Sequence, residues 1–278
     1  MEISKLELSI FERLNRKKEG KLKFQPFYEN LLRMALRGMN IGGGGNVENS
    51  GEIFALKYIG RKLASAKKSI VVFDVGANKG KYSQLVSKIL PQGKIIIFAF
   101  EPSLKTYKKL VDNCLPHPQI KPVNCGLSDK KAGAKLFLDQ ETSEMASIYQ
   151  RRMDHFNLHM NLVEEIKLDT LDNFCAENKI NRIDLLKLDV EGNELKALEG
   201  AKKMLTKGTI KFMQLEFGGC NIDSRTFFQD FYYLLKDKYV IYRIVKDGLH
   251  RIKEYQEIYE LFITTNFLAE LRNNNVGK

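Results

Sequence analysis

No stretch of this 278-residue chain stays apolar long enough to span a bilayer. Its opening, "MEISKLELSIFERLNRKKEGK", lacks the uninterrupted apolar core of a secretory leader, because acids and bases alternate from residue 2. The expectation is a cytoplasmic protein with no transmembrane segment. Cysteine is scarce: Cys114, Cys125, Cys175 and Cys220 stand far apart. That spacing argues against a disulfide framework or a zinc knuckle and favours free, mostly buried thiols. Acid is in deficit, with a net charge of +11. The excess is uneven: residues 1–69 hold 14 Lys and Arg against 7 Asp and Glu, and the other 209 residues carry only +4. A catalytic domain wrapped in a basic nucleic-acid channel is therefore not expected, and no nucleic-acid partner is assigned. What remains is 44% hydrophobic content, ample for one core and a small appendage.

The apolar residues organise the chain. Ile3, Leu6, Ile10 and Leu14 fall at helical spacing over 3–18, and a second helix is expected over about 27–39. "GGGG" at 42–45 breaks the pattern as a joint or turn. Ser50 then caps an expected helix over 51–66. From residue 70, short β-branched runs alternate with helical stretches. Strands are expected at 69–75, 94–101, 120–126, 182–190 and 209–217, and helices at 81–90, 103–114, 193–205 and 224–236. Such alternation specifies a doubly wound α/β sheet, mostly parallel. At the end, 239–252 reads as a hairpin turning at Asp247-Gly248, and 259–268 as a last strand. The sheet thus finishes with antiparallel members.

The first strand runs into "VVFDVGANKGKYS", residues 71–83. A dinucleotide fingerprint needs glycines at positions one, three and six of the turn, and here the third is Asn78 and the sixth is Lys81. No G-K-[ST] follows, so a phosphate P-loop is absent as well. A pyrophosphate is not favoured. A smaller zwitterion fits better. Asp74 can face an ammonium, Gly76 allows close backbone approach, and the helix starting near Gly80 offers free N–H groups to a carboxylate. The next strand ends in "AFEP", which puts Glu101 where an acid hydrogen-bonds ribose hydroxyls. An amino acid plus a ribose describes S-adenosylmethionine. The plain alternatives are that Asp74 caps a helix and that Glu101 with Pro102 opens the next one.

"VFDVGANKGKYS", "AFEPS", "VNCGLSD" and "IDLLKLDVEGNELKALEGA" together resemble the FkbM-type S-adenosylmethionine-dependent methyltransferases, and the resemblance covers about residues 48–265. It implies a class I methyltransferase fold: a Rossmann-like sheet, mostly parallel with antiparallel C-terminal strands. Here that domain would occupy 46–278 and follow an N-terminal helical extension over 1–45. It further implies cofactor binding by the loop Asp74–Tyr82, hence Gly76, Asn78, Gly80 and Tyr82. Glu101 would hold the ribose beside Pro102 and Ser103, and Asn124, Cys125 and Leu127 would lie by the adenine. The implied acceptor is a hydroxyl of a sugar, a glycan or another small molecule.

Methyl transfer is an in-line displacement that needs positioning and, for an alcohol, a base. Three acids lie at the expected carboxyl ends of the strands: Asp189 in "KLDVEG", Glu191 two residues later, and Glu216 in "MQLEFGG". Asp189 is expected nearest the methyl group, contacting both cofactor and acceptor. Glu191 and Glu216 are expected to bind acceptor hydroxyls, although Glu191 equally suits the first turn of the following helix. Gly218-Gly219 would let a substrate approach the backbone. Such a trio can hold Mg2+, but the motif does not require it and no metal is assigned. His155 and His159 stand at i, i+4 without a third ligand and read as surface residues. The polar and aromatic segment 143–156 suits a substrate lid, with Ser147, Tyr149, Arg151 and Arg152 as candidates. The N-terminal helices are read as a cover for the acceptor site or a homodimer interface. A peripheral contact of 3–18 with an anionic membrane is the other reading. Three alternative functions stand beside the leading one: a non-catalytic binding protein of the same fold, a methyltransferase acting on a non-hydroxyl acceptor, and a nicotinamide oxidoreductase, which the missing glycines disfavour.

Overall fold

A computed structural model describes residues 16–43, 50–65, 68–91 and 95–272. Most of the expected 3–18 helix, the later glycines of 42–45 and the closing "NNNVGK" lie outside them. The described residues fall into two compact units, one ending at Ile41 and one beginning at Gly42. In the first, a helix α1 (Gln25–Gly38) starts with Pro26 in its first turn, where a missing N–H costs nothing.

The second unit opens with α2 (Glu52–Leu63). Its cap is Gly51, in the left-handed region at φ 87°, rather than Ser50. A side chain on Gly51 would meet the Val245 carbonyl at 2.3 Å, so close packing selects the glycine. Ser50 instead donates its hydroxyl to Glu52 at 2.9 Å. There follow β1 (Ile70–Val75), α3 (Lys81–Ile89), β2 (Ile95–Phe100), α4 (Leu104–Cys114) and β3 (Ile120–Val123). An excursion then forms β4 (Gly126–Leu127), β5 (Ala132–Leu138) and β6 (Leu162–Asp169), which pair in the order β4-β6-β5 as a small second sheet. The main sheet resumes with α5 (Leu171–Glu177), β7 (Ile183–Leu188), α6 (Glu194–Glu199), α7 (Lys202–Lys207) and β8 (Ile210–Phe217). It ends with α8 (Cys220–Ser224), α9 (Phe228–Leu235), β9 (Tyr239–Val245), β10 (Gly248–Ile252) and β11 (Thr265–Leu271).

The main sheet has eight strands in the order β10-β9-β11-β8-β7-β1-β2-β3. β3, β2, β1, β7 and β8 run parallel, whereas β11 is antiparallel to both β8 and β9. This is a class I methyltransferase fold. The strand order reverses between β1 and β7, the crevice where ligands bind in open α/β sheets. Two apolar clusters cover the faces of the sheet, one built on Phe73, Phe100 and Leu186, the other on Val72, Ile97 and Leu185.

Three local readings change, and one holds. The hairpin turns at Lys246-Asp247, one residue earlier than expected, because Gly248 pairs with Val245. The last strand begins at Thr265 rather than 259. The expected 193–205 helix is two helices broken at Gly200, where a side chain would lie 2.0 Å from the Ser128 carbonyl. Pro122 is tolerated because β3 is an edge strand.

Candidate active site

β1 delivers Asp74 at its C-terminal end, fully buried. Ser83 on α3 donates its hydroxyl to Asp74 Oδ2 at 2.7 Å, while Oδ1 is buried without a hydrogen-bond partner. Burial pushes the Asp74 carboxyl up, against the pull of the Lys187 ammonium. The turn after β1 places Gly76, Asn78 and Gly80 in the left-handed region, at φ 85°, 48° and 83°. Gly76 and Ala77 both donate their N–H to the Phe100 carbonyl, at 3.1 and 2.9 Å, stitching the turn to β2. A side chain on Gly76 would sit 1.8 Å from the Asp189 carbonyl. The end of β7 alone therefore demands glycine here. Gly80 is likewise walled by Leu110 and Cys114.

Glu101 follows β2 and is almost fully buried. Its two carboxyl oxygens accept the backbone N–H of Ser103 at 2.9 Å and of Asn78 at 3.1 Å. Burial raises it to about 7, with those two bonds pulling the other way. Ser103 itself caps α4 through its hydroxyl, and Asn124 donates to the carbonyls of Glu101 and Pro102. Glu101, Pro102, Ser103, Asn78 and Asn124 thus form one junction at the ends of β1, β2 and β3. Cys125 is half-buried beside it. The Leu127 side chain is not at this surface; it packs in the core with Phe73 and Phe100. Tyr82 also turns inward. Its hydroxyl donates to Gln214 at 2.8 Å, and Gln214 donates to Glu52 at 2.6 Å.

The ends of β7 and β8 bring the three acids together. Asp189 Oδ2 accepts from Lys187 Nζ at 2.7 Å, and that ammonium lies 4.8 Å from the centre of the Tyr82 ring. Burial lowers the Lys187 ammonium, yet Asp189, Asp74 and Glu52 outweigh it and hold it above its ordinary value. Glu191 occupies the left-handed region at φ 52°. It is ion-paired to Arg151, whose side chain is 8% exposed. Burial and the Asp189 charge raise Glu191 to about 8 despite the arginine. Glu216 is pushed well up by burial, then by Asp189 and Glu191. Glu194, rather than Glu191, takes the helix-start role. It accepts from the N–H groups of Val190 and Gly192 at 2.9 and 3.1 Å, and burial raises it to about 7.

The 139–152 segment straps these strand ends together. Its Ser143 carbonyl accepts from Asn78 Nδ2 at 3.2 Å, and Ser147 donates to the Glu191 carbonyl at 2.6 Å. Arg151 reaches Asp223 at 3.9 Å as well as Glu191. Tyr149 is half-buried and Arg152 exposed. His155 and His159 are exposed and share no helix: the turn ends at Phe156, and His159 Nδ1 faces Asp154 at 3.2 Å. Gly218 makes room for the chain at Thr264, 2.8 Å from where its side chain would begin. Lys187, Gln214, Glu52 and Glu194 escaped sequence reading. The signal for Lys187 was its position two residues before Asp189 on one strand, hence on the same face.

Among the described residues no group of three His, Cys, Asp or Glu side chains is arranged to hold a metal ion, and no helix is long and apolar enough to cross a membrane. Residues 74–241 match the methyltransferase FkbM domain, more than half of the chain. The chain is 23% identical over 156 residues to the 2-O-methyltransferase NoeI of Sinorhizobium fredii, covering 53% of this chain and 63% of that protein. It is 26% identical over 157 residues to the hexuronic acid methyltransferase AglP of Haloferax volcanii, covering 56% and 60%. The chain therefore spans under two thirds of the length of these curated relatives. A solved structure of methyltransferase FkbM from Methylobacillus flagellatus aligns with 77% of this chain and 47% of its own, at 16% identity and a TM-score of 0.41. The match over residues 74–241 takes in the glycine turn, Glu101 and all three strand-end acids, and the chain belongs to the FkbM methyltransferase domain family.

Proposed function

We propose that this chain is an S-adenosylmethionine-dependent methyltransferase acting on a hydroxyl of a sugar, glycan or other small molecule. The observation that carries this reading is the junction of Asp74, Asn78 and Glu101. Asp74 Oδ1 and Asn78 Oδ1 are buried acceptors without donors, beside a buried carboxylate at the end of the adjacent strand. Orphaned buried acceptors are costly, and a ligand bearing an ammonium and ribose hydroxyls would satisfy them. Asp74 and Asn78 would take the ammonium and Glu101 the ribose. Asn124, which donates to the Glu101 and Pro102 carbonyls, and Cys125 would then lie on the adenine side of that ribose. Bound S-adenosylmethionine supplies an electrophilic methyl group.

The chain's own residues supply positioning and proton handling. Lys187 holds Oδ2 of Asp189, which leaves Oδ1 to accept the hydroxyl proton of an acceptor. Glu191, raised to about 8, can keep a proton near neutrality and donate a hydrogen bond to a further acceptor oxygen, and burial with the neighbouring acids pushes Glu216 in the same direction. The strap bearing Ser147 and Arg151 covers the same strand ends, where it would exclude water. The names of NoeI and AglP, an O-methyltransferase and a methyltransferase of a sugar acid, favour a hydroxylated acceptor. The test is transfer of labelled methyl to a panel of sugars, uronic acids and hydroxylated metabolites. Asp189→Asn should lower the rate by about 10²-fold or more. Labelled product on an amine and never on oxygen would refute the hydroxyl assignment.

A further inference from the structure

α1 exposes the side of itself that a helix in water ordinarily buries. Phe27, Leu31 and Met34 follow at i, i+4 and i+7, and Leu32 lies beside them on the same face. Leu32 is 55% exposed and Met34 67%, and Leu22, in the turn that leads into the helix, is 88% exposed. Glu29, Arg33 and Arg37 form the opposite row, where Arg33 meets Glu29 at 3.9 Å. Single exposed apolar residues are ordinary, but four on one face of one helix mark an interaction site. The second observation is charge. Residues 16–38 hold seven Lys and Arg against Glu19 and Glu29, a net +5 of the chain's +11. Arg16, Lys17, Lys18, Lys21 and Lys23 stand in the exposed stretch just before α1. None of these five pairs with an acid among the described residues.

We propose that α1 and the basic stretch before it form a docking surface for an anionic lipid bilayer. The apolar row enters the boundary between headgroups and acyl chains, and the five cations of 16–23 meet the anionic headgroups. At 14 residues the helix is too short to cross a bilayer, so it lies along the surface. Two other partners fit less well. A nucleic acid would engage the cations and leave the apolar row in water. A second copy of the chain would cover that row, but two-fold pairing of one face with itself brings two +5 stretches together. An anionic bilayer accepts both features at once. The membrane contact expected over 3–18 falls mostly outside the described residues. α1 is a separate surface, read in the sequence only as a cover for the acceptor site or a dimer interface.

The test is co-sedimentation of the full chain with phosphatidylcholine vesicles, either pure or holding about 30% phosphatidylglycerol. The chain should bind the anionic vesicles about tenfold or more tighter than the neutral ones, and raising salt from about 0.1 M to about 1 M should remove most of that difference. Leu31→Glu combined with Met34→Glu should abolish sedimentation with a thermal midpoint near that of wild type, because both side chains are exposed. Lys17→Glu, Lys18→Glu and Lys21→Glu together should weaken binding by about tenfold or more, and serve if the first variant does not fold. Wild type left in the supernatant with anionic vesicles, or equal binding to the two vesicle types, would overturn the proposal. So would unchanged binding by the Leu31→Glu, Met34→Glu chain. A wild-type dimer in light scattering that this variant splits, with no vesicle binding by either, would give the face to a second copy and overturn it as well.

Discussion

Lys187 Nζ lies 2.7 Å from Asp189 Oδ2, with 7% of the lysine side chain exposed. The two residues are neighbours on one face at the end of β7, and Asp74 and Glu52 bear on the same ammonium. The cation therefore holds several buried carboxylates at once. Replacing it with a neutral isostere leaves them uncompensated. Lys187→Met should destabilise the fold by about 3–5 kcal/mol, with Lys187→Arg closer to wild type, as read by urea denaturation. A Met variant within about 0.5 kcal/mol of wild type would show that the acids there are protonated and need no partner.

Gly76 is fixed by its contact with β7. Gly76→Ala would force a methyl group onto the Asp189 carbonyl, 1.8 Å away, in a backbone conformation that side chains rarely adopt. The glycine turn and the end of β7 cannot both stay in place. Loss of cofactor binding together with a lowered thermal midpoint is the expected outcome. Full retention of both would mean that the turn and β7 are not in register as described.

The raised acids give the fold an unusual pH dependence. Glu101 and Glu194 titrate near 7 and Glu191 near 8, against an ordinary value of 4.5. The folded chain therefore binds more protons than the unfolded chain through that interval. The penalty is absent below about 4.5, accumulates as pH rises, and is complete above about 8. Urea midpoints should fall between pH 5.5 and pH 8.5, and Glu191→Gln should flatten the slope. A midpoint that rises across that range would contradict these assignments.

Arg151 pins the strap to the β7 turn. Arg151→Ala strips the buried pair of its cation, so Glu191 should take up its proton at a higher pH than the present value of about 8. Ser147 remains as the other tie to Glu191, so the strap should loosen without unfolding the sheet. Hydrogen exchange over 139–152 should quicken by about tenfold, the equivalent of roughly 1.4 kcal/mol of local stability. Unchanged exchange there would show that the arginine does not hold the strap.

Much of this was legible from residue patterns. β1, β2, β7 and β8 are dominated by β-branched and large apolar residues, and β1, β7 and β8 are buried along most of their length. Asp74, Glu101, Asp189 and Glu216 were legible because each terminates one of those runs. The small β4-β6-β5 sheet was not: β5 carries Gly133 and Lys135, β6 carries Glu164 and Glu165, and one exposed face each leaves only weak alternation. The partners that give the acids their character were also hidden. Arg151 with Glu191 and Gln214 with Tyr82 are tertiary contacts between residues far apart in sequence, whereas Lys187 with Asp189 is a local pair whose spacing was there to be read. Glycine was misleading in one respect. The sequence offers Gly76 as a point of close backbone approach to a ligand; the structure adds the left-handed backbone and the Asp189 carbonyl, 1.8 Å from where a side chain would begin, that require it.

Glu101, tied to the glycine turn through Asn78, would hold the ribose of S-adenosylmethionine in the function proposed above. The most direct measurement is calorimetric titration with S-adenosylhomocysteine on wild type and Glu101→Ala, repeated from pH 6 to pH 8.5. Ribose hydroxyls donate to the ionised carboxylate, so wild-type affinity should rise with pH through about 7 and level off above it. The variant should bind at least about tenfold more weakly, with that pH dependence gone. Equal binding by the two proteins, or no binding by well-folded wild type, would contradict the account.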